Sequence, residues 1–261
     1  MAGGMWVAAA GLQATNWAID ALANDVANTD TAGFKAVVPD ISSLAPGAEY
    51  PAGLAGGPNV QPQVLAGGGA VPLSLILDNT EGPLQQTGNP LDLAINGPGY
   101  FAVQSAGGVR YTRAGAFTLD ANRTVVDGQG QPLLDTAGKP LVVPAHASAL
   151  AVSAQGVLSA TVGGQPQRVG QIGVAMIPDP QQLVGVPGGD WSAPAAAGTI
   201  TSVTPGSGGS GLLASGYLED SNVSLAQVLP DLIAAERAYQ LNAQALASSN
   251  TLATKTNQLS I

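Results

Sequence analysis

The sequence predicts a mainly β protein with one α-helix at each end. Both termini carry apolar residues at heptad spacing, whereas the middle of the chain alternates short apolar runs with turn residues. The chain has 261 residues, of which 35 are Gly and 19 are Pro, and only 10% are charged. This composition is typical of many turns and short strands. We therefore predict a central all-β domain and a separate helical, coiled-coil-like domain built from the two termini.

The N-terminal segment is predicted to be a helix over residues 4–28. Its apolar positions form the a/d stripe of a coiled coil over about three heptads. The stripe consists of Met5, Leu12, Ile19 and Val26, with Ala8, Thr15 and Leu22 three positions further along. The segment lacks a basic n-region and Gln13 interrupts its apolar run, so we read it as mature helix rather than as a cleaved leader.

The stretch "ANDVANTDTAGFK" closes this helix with a dense cluster of Asn, Asp, Thr and Gly. Such residues satisfy the free groups of a helix end and redirect the chain. We expect Gly33 to supply a positive φ and Asn28 to adopt a left-handed C-cap. Residues 1–35 are therefore assigned as a helix plus a turn motif.

Residues 36–75 are assigned as a loop-rich linker, and residues 76–212 as the central β domain. Within that domain, Gly107–Gly108 and Asp127–Gly128 are hairpin signals flanked by strand-like residues. Residues 185–212 are rich in Gly, Pro and Ser, and we expect them to form a loop.

The C-terminal segment, residues 213–261, repeats the helical stripe. Leu225, Leu232, Tyr239, Leu246 and Ala253 are seven apart, with Val228, Ala235, Asn242 and Ser249 at the offset of three. Polar Asn242 on the stripe can fix the register of a helix pair. Ser224 or Asn222 is the expected N-cap, and Pro230 predicts either a kink or a later helix start.

Two striped helices at opposite ends of one chain are buried most simply by pairing with each other and then with neighbouring molecules. Apolar heptads are often ordinary core, so the stripe alone leaves an assembly surface and a domain core equally open. Because both stripes are terminal and rich in Ala, they suit close helix packing.

Charge and composition exclude several function classes. The formal net charge is −9, and the 8 basic residues are scattered, so no stripe for nucleic acid exists. With no Cys in the chain, disulfides and thiol catalysis are ruled out. No window reaches the roughly 20 apolar residues of a membrane span.

Candidate catalytic chemistry is sparse. His146 is the only histidine, and it lies in a turn context where we expect an exposed loop residue. We expect no metal, cofactor or catalytic site. The alternative from a different class is a β-rich carbohydrate-active enzyme with two carboxylates about 5–10 Å apart. Its candidates are Glu81, Asp92, Asp120, Asp127, Asp135 and Glu219.

Four blocks, in order along the chain, resemble the bacterial flagellar rod and hook family. The turn stretch is similar to the family's N-terminal signature, with Asn24, Ala27, Asn28, Thr31, Gly33, Phe34 and Lys35 in its places. The other blocks are "NPLDLAINGPGYFAVQ", "YTRAGAFTLDANRTVVDGQGQPLL" and "GYLEDSNVSLAQVLPDLIAAERAYQLNAQAL".

The resemblance implies a non-enzymatic structural subunit that polymerises into a hollow helical shaft through its terminal helices. It also implies export by the flagellar type III apparatus without a cleaved leader, and a place outside the cytoplasmic membrane. The implied partners are other copies, other rod proteins, hook or junction proteins and surrounding rings. Chain length and the short middle fit distal rod subunits best, then proximal rod subunits and the hook subunit.

Overall fold

A computed structural model of the chain describes residues 2–43, 70–186 and 188–259. Helix α1 spans Ala2–Ala27 and helix α2 spans Leu225–Leu259. Strands lie between them, so the prediction of a mainly β chain with a helix at each end is confirmed. Among the described residues, neither helix is long and apolar enough to cross a membrane.

The strands follow one another along the chain with short connections. They are β1 (Val37–Ser43), β2 (Ala70–Leu77), β3 (Leu84–Gln86), β4 (Leu93–Asn96), β5 (Tyr100–Ser105), β6 (Gly108–Thr112), β7 (Thr118–Leu119), β8 (Val125–Val126), β9 (Ala147–Val152), β10 (Val157–Val162), β11 (Gln165–Gln171), β12 (Val174–Met176), β13 (Val184–Val186), β14 (Asp190–Ser192), β15 (Thr201–Val203), β16 (Leu212–Ser215) and β17 (Tyr217–Glu219). Two short 3₁₀ helices span Pro180–Gln182 and Ala195–Ala197.

The chain divides into two compact units. Unit 1 comprises Met1–Ala27, Val37–Ile76 and Ser224–Ile261, and unit 2 comprises Asn28–Ala36 and Leu77–Val223. Both units are thus built from segments that are distant in sequence. By this division the turn that follows α1 lies in unit 2, although the sequence groups it with the helix.

Unit 2 is organised around a six-stranded sheet in the order β13-β14-β6-β5-β12-β15 and a three-stranded sheet in the order β11-β10-β9. Its core contains Phe101, Phe117, Leu133, Ile172 and Val174, each 0–1% exposed. Phe101 and Phe117 meet edge to face, with ring centroids 5.1 Å apart. Strands β16 and β17 pair antiparallel with β4 and β3, so the last part of the β region closes on its first part.

The turn predictions hold in the central domain. The β5–β6 hairpin pairs Ser105 with Gly108, as the Gly107–Gly108 signal indicates. The Asp127 carboxylate accepts backbone N–H bonds from Gln129 and Gln131, both at 2.8 Å. His146 is exposed at φ 63°, as expected for a loop residue.

Two loop predictions need correction where the structure describes the residues. The two ends of the linker over residues 36–75 belong to β1 and β2, which pair with each other, and residues 44–69 lie outside the described part of the chain. Residues 185–212 contribute β14 and β15 to the six-stranded sheet. Three-residue strands carry too little periodicity to stand out among Gly and Pro.

Two expectations about the helix ends also need correction. Helix α2 begins at Leu225, before Pro230, so a later start is wrong. Ser224 is the N-cap, because its carbonyl accepts the first helical bond from Val228 N–H at 2.9 Å, and Asn222 bonds elsewhere. Asn28 does not adopt the left-handed conformation, whereas Gly33 does, with φ 71°.

A Gly115→Ala substitution should destabilise unit 2. A Cβ on Gly115 would lie 1.6 Å from the Leu93 carbonyl oxygen, and Leu93 N–H bonds the Gly115 carbonyl at 2.9 Å. Backbone atoms cannot move aside as a side chain can. We therefore expect the free energy of unfolding, measured in urea, to fall by about 3 kcal/mol or more. Gly128→Ala is the matched control, since nothing lies within 4 Å of its Cβ and its change should stay within about 0.5 kcal/mol. Equal effects of the two substitutions would contradict this account.

Candidate assembly helices and buried charge cluster

Helices α1 and α2 contact each other within unit 1. The buried residues of α1 are mostly small, with Ala8, Ala14 and Ala18 each at most 6% exposed. A Cβ on Gly11 would lie 2.8 Å from Asn242 Nδ2, so the amide of Asn242 occupies the space that Gly11 leaves empty. Small residues let the two backbones approach closely, and the polar side chain is placed where it can set the register.

The predicted stripes and the buried faces coincide only in part. On α1, Leu22 is buried, whereas Leu12, Ile19 and Val26 are half-buried; the side chain of Met5 lies outside the described residues. On α2, Val228 is 8% exposed and Leu232 and Leu246 are half-buried. Leu225 and Tyr239 are exposed at 42% and 41%.

Asp25, near the C-terminus of α1, is a buried carboxylate at 2% exposure. Its two oxygens accept the Val37 backbone N–H at 3.1 and 3.2 Å, which ties the start of β1 to the helix. Burial raises the pKa of Asp25 from 3.8 to about 6, and the bond from Val37 opposes this shift. The negative end of the helix dipole also disfavours a charged carboxylate there.

A second group of buried charges lies in unit 2, and we call it the charge cluster: Lys35, Arg113 and Glu219. Lys35 Nζ lies 2.5 Å from Glu219 Oε1, and Arg113 Nη1 lies 3.1 Å from Glu219 Oε2. All three residues are at most 4% exposed. Two cations share one carboxylate, so the cluster carries a net positive charge.

Backbone groups complete the charge cluster. Lys35 Nζ donates to the Thr80 carbonyl at 2.6 Å, and Gly82 N–H donates to Glu219 Oε1 at 3.1 Å. Arg113 donates to the carbonyls of Ile95 and Gly97 at 3.2 and 2.9 Å. Burial lowers the pKa of Lys35, while its bond to Glu219 acts in the opposite direction. A buried charge is tolerated only where such partners replace water.

The turn motif is held against this charge cluster. Gly33 N–H donates to the Glu219 carbonyl at 2.7 Å, and a Cβ on Gly33 would lie 2.3 Å from the Ala114 backbone nitrogen. Within the turn, Asn28 accepts from Thr31 N–H at 3.1 Å, and Thr31 accepts from Phe34 N–H at 3.1 Å. Asn24 and Ala27 are exposed on the last turns of α1.

Asn222 joins the same region through its side chain. Its Oδ1 accepts from Ala36 N–H at 2.7 Å, and its Nδ2 donates to the Asp78 and Thr80 carbonyls at 2.9 and 3.1 Å. The chain passes between the two units after residues 27, 36, 76 and 223. The last three of these passages lie within two residues of backbone that Asn222 or its side chain holds.

The candidate carboxylates of the enzyme alternative are engaged in other ways. Glu219 belongs to the charge cluster, and Asp120 and Asp135 accept backbone N–H bonds inside their own turns. Asp92 accepts from Asn89 Nδ2 at 2.9 Å, and Glu81 is exposed. In the part of the chain that the structure describes, no three His, Asp or Glu side chains are placed to hold a metal ion.

Comparison with known proteins places the chain among flagellar proteins. The profile of the flagellar hook protein FlgE/F/G D1 domain matches residues 94–160, and that of the flagellar basal body rod FlgEFG protein C-terminal region matches residues 214–259. The chain is 32% identical to the flagellar basal-body rod protein FlgG of Buchnera aphidicola subsp. Acyrthosiphon pisum, over 98% of both chains. The chain belongs to the flagellar basal-body rod protein family. It is also 32% identical to the FlgG of Bacillus subtilis over 90% of both chains, and 31% identical to the FlgF of Caulobacter vibrioides over 85% of this chain and 83% of that protein.

The two regions that match the family profiles contain most residues of the charge cluster and most of the groups that bond to it. The D1 match includes Ile95, Gly97 and Arg113, and the C-terminal match includes Glu219 and Asn222. Sequence reasoning found Lys35 only as part of the turn motif, and it weighed Glu219 as a catalytic carboxylate and Asn222 as a cap. No local pattern reveals a pair that lies 184 residues apart.

Replacing Glu219 with Gln should unfold unit 2 at lower denaturant. The amide cannot neutralise Lys35 and Arg113, so two buried cations lose their counter-charge, which costs about 3–5 kcal/mol. Glu236→Gln is the control, because Glu236 is exposed on α2 in the other unit. Both substitutions are compared in a Trp6→Phe, Trp17→Phe background, where Trp191 of unit 2 is the remaining tryptophan, so urea unfolding followed by tryptophan fluorescence reports on unit 2. An effect of Glu219→Gln no larger than that of the control would contradict the role of the charge cluster.

The stability of unit 1 should depend on pH through Asp25. The pKa of Asp25 is higher in the folded chain than its ordinary 3.8, so its contribution is fully present below about 3.8 and lost as pH rises through about 6. Helix melting followed at 222 nm should therefore occur at higher temperature at pH 5 than at pH 7.5.

Asp25→Asn should remove part of that pH dependence while keeping one acceptor for Val37 N–H. Asp20→Asn is the matched control on the same helix, because Asp20 is exposed. A wild-type melting temperature that rises between pH 5 and pH 7.5 would contradict the sign of this effect.

Proposed function

We propose that the chain is a structural subunit of the flagellar basal-body rod that polymerises through unit 1. The observation that carries the proposal is the uneven distribution of exposed apolar side chains. Unit 1 has far fewer described side chains than unit 2. It nevertheless contains eight large exposed apolar side chains, which are Val38, Ile76, Leu225, Leu229, Ile233, Tyr239, Leu241 and Leu252. Unit 2 exposes five: Leu84, Val109, Val142, Val184 and Leu212.

Exposed apolar side chains concentrated on one unit favour burial against other molecules. Each buried Å² of apolar surface contributes about 25 cal/mol, so repeated contacts along a polymer add up to a stiff shaft. Heterologous contacts related by a rotation that does not close produce a helical filament rather than a ring. The helix pair would then form a coiled-coil-like layer of the shaft.

Within the rod, we assign the chain to the distal segment, where it transmits torque from the motor to the hook. Near-complete alignment with FlgG proteins supports this assignment over a proximal rod or hook subunit. The inferred partners are other copies, other rod proteins, hook or junction proteins, surrounding ring proteins and the flagellar export apparatus. The inferred location is the cell envelope outside the cytoplasmic membrane, reached without a cleaved leader.

Introducing charge on the exposed apolar side of α2 should abolish assembly without unfolding the subunit. Leu229 and Ile233 are 46% and 51% exposed, and Glu is as good a helix former as Leu, so Leu229→Glu with Ile233→Glu should leave the monomer folded. Buried in a polymer, the same carboxylates cost several kcal/mol each. Swimming in soft agar and recovery of rods from cells lacking the native copy measure the effect.

The control for this experiment is a double variant in unit 2. Val142 and Val184 are 54% and 56% exposed, so Val142→Glu with Val184→Glu adds the same charges to a similar exposed surface. We expect rods and swimming to persist in that control. Normal rods in the Leu229→Glu, Ile233→Glu variant would contradict assembly through this side of unit 1. Labelling of the chain in isolated basal bodies tests the distal position separately.

A further inference from the structure

The side-chain amide of Gln181 pairs with the backbone of Leu77 as a neighbouring strand would. Leu77 N–H donates to Gln181 Oε1 at 3.0 Å, and Gln181 Nε2 donates to the Leu77 carbonyl at 3.0 Å. Leu77 is the last residue of β2, and the chain passes from unit 1 to unit 2 directly before it. A side chain 104 residues away in sequence therefore holds the backbone at this passage.

The two groups of Leu77 that Gln181 pairs lie on the side of β2 that faces away from β1. Asp78 N–H donates to the Ala36 carbonyl at 2.9 Å, which places the bonds of Asp78 on the β1 side. Successive residues of a strand direct their N–H and C=O groups to opposite sides, so those of Leu77 point to the open edge of β2. Gln181 thus does at one residue what a third strand would do along the whole edge.

The backbone of Gln181 is fixed by its own turn. Gln181 lies in the 3₁₀ helix Pro180–Gln182, and the carboxylate of the N-cap Asp179 accepts Gln181 N–H at 3.2 Å. The side chain of Gln181 is exposed, so holding it in one conformation costs entropy that its hydrogen bonds must offset. Within the described residues its amide bonds to Leu77 alone, so Leu77 accounts for its position.

Asn222 supports the same passage on the β1 side. Its Oδ1 accepts Ala36 N–H at 2.7 Å, and its Nδ2 donates to the Asp78 carbonyl at 2.9 Å. The amide of Asn222 therefore bridges the two backbone groups that would complete a hydrogen-bonded pair between Ala36 and Asp78. Two side-chain amides, one on each side of β2, hold the backbone where this strand enters unit 2.

We propose that Gln181 is a positioning residue for torque transmission, because its pairing with Leu77 stiffens the passage from β2 into unit 2 against twisting. This inference rests on the proposed function, since a subunit that transmits torque must resist twisting where its chain passes from one unit to the other. Without the pairing both units stay folded, but the backbone around Leu77 opens more often. A shaft built from such subunits bends more readily.

Amide hydrogen exchange in the purified full-length protein tests the pairing. Gln181→Leu keeps a side chain of similar size but removes both bonds, so exchange of Leu77 N–H should become about five- to tenfold faster. Gln181→Glu should act in the same way, because a carboxylate oxygen would face the Leu77 carbonyl oxygen. Gln182→Leu, at the exposed neighbouring position of the same 3₁₀ helix, is the matched control and should leave Leu77 exchange within about twofold of wild type. All three variants should melt with the wild-type protein, since both positions are exposed.

The stiffness of assembled shafts tests the mechanical role. In cells that lack the native copy, Gln181→Leu should form shafts as often as wild type, because it leaves both units folded. Cryo-electron microscopy of isolated shafts should show a shorter persistence length for Gln181→Leu, and the persistence length of Gln182→Leu shafts should match that of wild type.

The outcomes distinguish this proposal from the proposed function. Wild-type exchange of Leu77 N–H in Gln181→Leu, or the same acceleration in Gln182→Leu, would overturn the pairing. Faster exchange in Gln181→Leu with shafts of unchanged stiffness would overturn its mechanical role. A wild-type chain that forms no shafts would overturn the proposed function, whereas the exchange of Leu77 N–H would still test the pairing.

Discussion

The carboxylate of Glu219, buried between Lys35 and Arg113, is the interaction on which the rest of the structure depends. One oxygen bonds Lys35 and the other bonds Arg113, while the carbonyl of the same residue accepts from Gly33. Removing water from three charges is costly, and the Thr80, Ile95 and Gly97 carbonyls offset part of this cost by accepting from the two cations, while Arg113 Nε is buried without a partner. The charge cluster therefore joins residues from the beginning, the middle and the end of the chain inside unit 2.

The two units differ in how their side chains are packed. Unit 2 is held by a conventional apolar core around Phe101 and Phe117, and by sheets that leave modest apolar surface exposed. Unit 1 is a pair of Ala-rich helices with a two-stranded ribbon, and it leaves large side chains such as Ile233 and Leu241 in solvent. Unit 2 is thus self-sufficient in its packing, whereas unit 1 exposes large apolar side chains that the proposed polymer contacts would bury.

Sequence reasoning recovered the features that are periodic or local. Both helices, the β character of the middle and the positive φ of Gly33 follow from spacing and from the chemistry of a single residue. The strands near Asp190 and Thr201 were missed because three residues among Gly and Pro show no alternation, and their pairing is decided by the sheet they join. The heptad rule placed the stripe of α1 slightly off the most buried positions, because Ala14 and Ala18 are buried whereas the larger Leu12 and Ile19 are only half-buried. The charge cluster could not be predicted from the sequence, since its members come from three distant segments and each has an ordinary local explanation.

The separation of Lys35 from Glu219 has a consequence for how the subunit matures. A ribosome delivers Lys35 and Arg113 long before it delivers Glu219, so the two cations have no buried counter-ion through most of synthesis. Unit 2 cannot reach its final state until 219 of the 261 residues have emerged. The ion pairs of the charge cluster therefore form only when nearly all of the chain has been synthesised.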